Sequence, residues 1–155
     1  MDEAALRAWL AEPRTALIAA VAEGVRAHVA SLRAEGRDIH GYALLPGEYY
    51  DINGLTAVVR TEAPPAAPEY GTERFYRYCV DEWDRWEHSR FLTADAILAA
   101  LNERFRSLHS KPDEFCVMDE FEIAHADSLL DAVASGLEAA RDAGAFGDPA
   151  PFLAV

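Results

Sequence analysis

The sequence predicts an α+β domain: a small antiparallel sheet of about three to four strands packed against N-terminal and C-terminal helices. Three observations carry that prediction. Apolar residues recur every three or four positions over the first forty residues, the period falls to two between Ile39 and Thr61, and it returns to helical spacing after Thr93. At 155 residues the chain has the length of one domain, 1–155, large enough to bury a core without a disulfide or metal staple.

Leu17, Val21, Val25, Val29 and Leu32 form the apolar face of the main N-terminal helix, opposite Arg14, Glu23, Arg26 and Arg33. Pro13 suits a helix start, where a missing N–H costs nothing, and Gly36 suits a stop. A shorter helix over about Asp2–Ala11 precedes it. Ile39–Leu45 reads as a strand and Leu55–Thr61 as a second, with Leu55, Ala57 and Val59 alternating against Thr56, Val58 and Arg60. Between them PGEYYDING contains Pro46, Gly47, Asn53 and Gly54, which predicts an antiparallel hairpin with a long loop. Phe75–Val80 is a third strand, reached through TEAPPAAPEYGTE, whose three prolines exclude regular structure. Ile97, Leu98, Leu101, Phe105 and Leu108 mark the next helix, with Thr93 as N-cap. Leu129, Leu130, Val133, Leu137 and Ala140 mark the last, which Gly144 ends. In DEFCVMDEFEIAH, Phe115, Val117, Phe121 and Ile123 sit among acids in near alternation, a pattern open to strand or helix.

Net charge is −13, from 14 basic and 27 acidic residues, which argues against nucleic acid or an anionic membrane as a partner. The imbalance is local. Asp113–Asp148 contains ten acids against one base, Arg141, for a net −9, which leaves −4 for everything before it. MDEAALRAWL lacks the basic region and apolar run of a secretory signal, and no stretch is expected to approach membrane-spanning length, so the cytoplasm is the expected compartment. Cys79 and Cys116 match no metal or redox spacing and are expected to be reduced and buried, Cys79 within a strand.

No pattern of known catalysis stands out. Gly-x-Ser-x-Gly, Walker and Gly-x-Gly-x-x-Gly motifs are missing from the sequence. Glu122 and His125 make one Glu-x-x-His, too few ligands for a closed metal site, and His125 is expected at the surface or a helix start. No cofactor and no metal are expected. The segment DEWDRWEH gathers Asp81, Glu82, Trp83, Asp84, Trp86, Glu87 and His88; in a helix, Trp83 and Trp86 would share a face. Such a segment either anchors one indole in the core with its acids in water, or presents an aromatic hot spot ringed by acids. Asp113, Glu114, Asp119, Glu120 and Glu122, interleaved with Phe115, Phe121 and Ile123, either keep the surface solvated or steer toward a basic partner. The candidate partner-binding residues are therefore Asp81, Glu82, Trp83, Trp86, Asp113, Glu114, Asp119, Glu120 and Glu122.

YALLPGEYYDINGLTAVVRTEA, followed by FYRYCVDEWDRWEH and ADAILAALNERF, resembles the bacterial family called domain of unknown function 4303. The matching parts are Tyr42-Ala43, Thr61-Glu62, Tyr76-Arg77-Tyr78 and Asp81-Glu82-Trp83, and the likeness runs from Tyr42 to Phe105. Arg60 departs from the pattern, which more often has a small or polar residue there. The resemblance implies similarity to proteins found near toxin and immunity gene clusters, and it implies no catalytic residue. The expected function is a non-catalytic acidic binding protein, of the immunity type, masking a protein partner with a basic surface. Two alternatives stand beside it: a small hydrolase-like enzyme using carboxylates with His88 and Tyr49 or Tyr50, and an oligomerising structural domain in which Trp83, Trp86 and the tail PAPFLAV cover a neighbour.

Overall fold

The structure, a computed structural model, describes residues 3–49, 51–63, 79–109, 117–148 and 150–155. Among these are the helices α1 Glu3–Leu10, α2 Thr15–Ala34, α3 Leu92–Leu108 and α4 Glu120–Asp142, and the strands β1 Gly41–Glu48, β2 Asp51–Arg60, β3 Arg85–Glu87 and β4 Phe152–Ala154. The fold is α+β, as the periodicity indicates, but the sheet is mixed rather than antiparallel. Its order is β3-β2-β1-β4, and β4 runs parallel to β1.

Helix α2 supplies the centre of the core. Its residues Leu17, Val21, Val25, Val29 and Leu32 are all buried, each worth roughly 1.5–3 kcal/mol of apolar burial. It ends as glycine allows: Gly36 takes φ +74°, and the Gly36 and Arg37 N–H groups donate back to the Arg33 and Leu32 carbonyls. Helix α4 repeats this at Gly144, φ +79°, with donors from Gly144 and Ala145 to Arg141 and Ala140. The stretch Glu3–Ala34 does reach the length and composition of a membrane span, contrary to the sequence expectation. Here it is broken between α1 and α2, and the apolar stripe of α2 is spent against the core.

The hairpin also departs from expectation. Its strands run into PGEYYDING, pairing down to Glu48↔Asp51, so that most of the segment expected as a long loop belongs to the strands. The register shifts between Leu45 and Gly47, and Gly47 takes φ +91°. Pro46, which has no N–H to offer the ladder, falls at that shift, where a strand tolerates it. Tyr42, Leu44, Leu55, Ala57 and Val59 face the helices, while Ala43 and Val58 face the other way, under Trp83.

Of the strand expected at Phe75–Val80, residues 75–78 lie outside the described residues, as do 64–73 of the proline-rich segment. Val80–Glu82 forms one 3-10 turn, and the neighbouring strand is Arg85–Glu87 instead, paired antiparallel to β2. Cys79 is a free, half-buried thiol before that turn, not a mid-strand core residue, and Cys116 lies outside the described residues. Thr93 sits inside α3 rather than capping it; the N-cap position is Phe91, without a side-chain hydrogen bond.

Candidate functional site

DEWDRWEH is not a helix, and its two indoles part company. Trp83 is 4% exposed, lies on the sheet against Gly41 and meets Phe152 edge-on at 6.1 Å. Trp86, on the edge strand β3, is 45% exposed. Asp81 and Glu82 are exposed in the 3-10 turn. Asp84 instead holds the end of β2: it accepts from the Thr61 N–H at 2.8 Å and the Thr61 hydroxyl at 2.6 Å. Burial pushes its carboxyl up, but these donors outweigh it and hold the pKa below the ordinary range. His88 touches Thr56 Oγ1 at 3.0 Å and does not join Tyr49.

The acids near residue 120 divide in the same way. Asp113 and Glu114 lie outside the described residues. Asp119 is the N-cap of α4, accepting from the Phe121 and Glu122 N–H groups, both at 3.0 Å. Glu122 returns the contact, accepting from the Asp119 N–H at 2.7 Å, which completes a capping box. Asp119 Oδ2 lies 2.9 Å from His109 Nε2, tying the C-terminal end of α3 to the start of α4. Burial alone would raise the Asp119 pKa, but the backbone donors and His109 lower it. His109, Asp119 and Glu122 bring ligand-type atoms within 4.8 Å of one another, a spacing that could hold a cation. The contacts just described already use these atoms within the cap. Glu120 points to solvent and pairs with Arg7 at 3.0 Å.

Beyond the cap, α4 arranges its acids by helical geometry. Glu120, Asp127, Asp131, Glu138 and Asp142 are spaced by seven, four, seven and four residues, which places them within an arc of about 60° and along about 33 Å. All five are exposed. Glu120 meets Arg7, Asp142 meets Arg141 and Asp127 accepts from the Tyr49 hydroxyl at 2.7 Å. Asp131 and Glu138 have no cation within ion-pair distance among the described residues. Four members of this stripe, Asp127 to Asp142, were not singled out by the sequence reading. Their seven-four spacing was the available signal.

A cleft of about 220 Å³ opens between the hairpin tip, α3 and the first turns of α4; Tyr49, Asn102, Arg106, Glu122 and His125 line it along with apolar side chains. His125, expected at the surface or a helix start, lies in the second turn of α4 but is only 6% exposed; it stacks on Phe105 at 4.3 Å, with Trp9 5.6 Å away on α1. Arg14 covers the same indole at 4.2 Å. Asn102 Nδ2 donates to the Ile52 carbonyl at 2.8 Å, so its Oδ1 faces His125 Nε2 at 2.9 Å and assigns the imidazole proton to Nε2. Burial, with the nearby Arg14 charge, drops the His125 pKa to about 4. The ring is thus neutral near pH 7 and committed to Asn102, a geometry that fixes α4 on α3 rather than relaying protons.

Fold and surface together define an α+β domain with an acidic helix along one side and no recognisable catalytic array among the described residues. The pattern of the family described as Domain of unknown function (DUF4303) matches residues 21–154, and the chain belongs to that family. No curated protein and no solved structure matches it.

Proposed function

We propose that this protein is a non-catalytic binding module that receives a basic protein partner on the acidic stripe of α4. Masking a cationic toxin or effector in a bacterial cytoplasm, as an immunity-type protein does, is the role such a surface would serve. The observation that supports this reading is the alignment of Glu120, Asp127, Asp131, Glu138 and Asp142 on one solvent-facing arc. Asp127, Asp131 and Glu138, which no arginine pairs among the described residues, leave this arc a directional negative field, which speeds encounter with a cationic surface and disfavours acidic competitors. Asp81 and Glu82 in the 3-10 turn and Trp86 on the edge strand β3 are exposed as well and supply a second, smaller acidic-aromatic surface.

The test is affinity capture from cell extract with the wild-type chain and with Asp127→Asn, Asp131→Asn, Glu138→Gln and Asp142→Asn combined. Basic proteins retained by the wild type and lost with the variant bear the reading out. Equal recovery by both, or recovery of acidic species alone, overturns it.

A further inference from the structure

We infer that the groove at the start of α2 is a binding site for a free α-amino acid, with the carboxylate on Arg14 and the ammonium toward Asp131 and Glu12. The fold leaves one charge here uncompensated. Arg14 is 8% exposed, and its Nε and Nη2 are buried and meet no hydrogen-bond partner among the described residues. These two nitrogens form one of the edges by which a guanidinium grips a carboxylate in parallel hydrogen bonds. Nη1 donates to the Trp9 carbonyl at 3.2 Å, and the guanidinium carbon lies 4.2 Å over the Trp9 ring. Neither contact brings a negative charge, and a buried cation without one is costly. The Glu12 charge offsets this only in part: burial still holds the Arg14 pKa below its ordinary value.

A second observation points to the same ligand chemistry. Arg14 is the N-cap residue of the twenty-residue helix α2, its side chain makes no capping hydrogen bond, and the first turn holds no acid. The partial positive charge of the helix start therefore adds to the guanidinium, and both favour an oxyanion.

This corner borders a groove of about 220 Å³, lined by Glu12, Arg14 and Ile18 and, from α4, by Ser128, Asp131 and Ser135. Drug-sized ligands use roughly 300–1,000 Å³, so the groove suits one small metabolite. Spacings of three and four residues set the two serines and Asp131 on one face of α4. Ser128 Oγ donates to the His125 carbonyl at 2.8 Å, which leaves its oxygen as an acceptor. Glu12 and Asp131 are exposed, and neither is paired with Arg14. A simple anion would gain Arg14 but face both carboxylates, whereas a zwitterion satisfies the two signs at once. Ile18 and Ala132, which also line the groove, suit a small aliphatic side chain. Because Nε and Nη2 are covered, the carboxylate reaches them as the guanidinium turns on the indole, so Trp9 reports binding.

The site is independent of the acidic-stripe reading, although Asp131 belongs to both. The experiment titrates the full chain with L-alanine, N-acetyl-L-alanine, L-alaninamide and inorganic phosphate, read by proton–nitrogen NMR at the Arg14 Nε–H and the Trp9 indole N–H. L-alanine is expected to shift both signals saturably. N-acetylalanine, which lacks the ammonium, alaninamide, which lacks the carboxylate, and phosphate are each expected to bind at least tenfold more weakly. Arg14→Lys keeps the charge but not the fork and should weaken L-alanine at least tenfold; Asp131→Asn, at an exposed position, should weaken it severalfold with the rest of the spectrum unchanged. Phosphate or N-acetylalanine binding as tightly as L-alanine overturns the amino-acid assignment. The absence of a saturable shift with L-alanine, L-serine or L-valine overturns the site itself. Should Arg14→Lys fail to fold, Asp131→Asn decides, and unchanged L-alanine affinity in that variant overturns the inference.

Discussion

Asp119 and Glu122 hold each other at the head of α4: the Asp119 carboxylate accepts from the Glu122 N–H at 3.0 Å, and the Glu122 carboxylate accepts from the Asp119 N–H at 2.7 Å. This exchange turns two acids of a charged run into structural groups and leaves solvent-facing charge to the stripe beginning at Glu120.

Asp119→Ala is expected to cost about 1–2 kcal/mol in urea unfolding, the usual loss for an N-cap, while Asp119→Asn retains most of it. The folded pKa of Asp119 is depressed, so its charge contributes fully above the unfolded carboxyl value near about 4 and is lost as pH falls through the folded value. Asp119→Asn flattens that acid limb. An alanine variant as stable as the wild type contradicts the capping role.

The two indoles of DEWDRWEH should behave differently. Trp83→Ala removes a buried ring from the sheet and is expected to destabilise by about 3–5 kcal/mol, whereas Trp86→Ala on the exposed edge should stay within about 0.5 kcal/mol of wild type. Comparable losses in denaturant titrations of the two variants would contradict the assignment of Trp83 as anchor.

Gly136 is where α4 approaches α2. A Cβ there would lie 2.6 Å from Val21 Cβ and 2.9 Å from the Ile18 carbonyl oxygen. Alanine normally favours a helix over glycine by about 1 kcal/mol, but overpacking costs about 1–3 kcal/mol, and here the neighbours include backbone. Gly136→Ala is therefore expected to lower the unfolding midpoint; a raised midpoint would show that the two helices are farther apart.

His125, with its pKa dropped to about 4, links stability to pH in a defined window. Its folded value lies below the unfolded value of about 6.5, so its contribution is complete above that pH, declines as pH falls toward about 4, and is constant below. The full effect reaches about 3 kcal/mol as an upper bound. Nuclear magnetic resonance titration of the His125 ring should give a midpoint near the lower value; a midpoint near about 6.5 would mean the ring is solvated rather than stacked on Phe105.

The long periodic elements were legible in the sequence because their packing is local in period: α2 shows its Leu17-to-Leu32 stripe, and β2 its Leu55, Ala57 and Val59 alternation. The head of α4 was ambiguous because Phe121 and Ile123 alternate with acids, yet Asp119-x-x-Glu122 was the capping-box signal that decides for helix. Strands β3 and β4 have only three residues each, too few for a period, and exist because β2 and β1 supply their partners. The full length of the hairpin strands was hidden by Pro46 and Gly47, turn formers that the fold uses in a register shift within β1. Of the candidate site residues, helical spacing alone could have separated the outward Glu120 from the inward-working Asp119 and Glu122, given the helix start.

The most direct measurement of the central claim is the affinity of the captured basic partner as a function of salt, for the wild type and for the variant neutralised at Asp127, Asp131, Glu138 and Asp142. If the α4 stripe is the contact, wild-type affinity falls steeply with ionic strength and the variant binds weakly with a shallow slope. A wild-type affinity indifferent to salt, or a variant with the same steep slope, would contradict it.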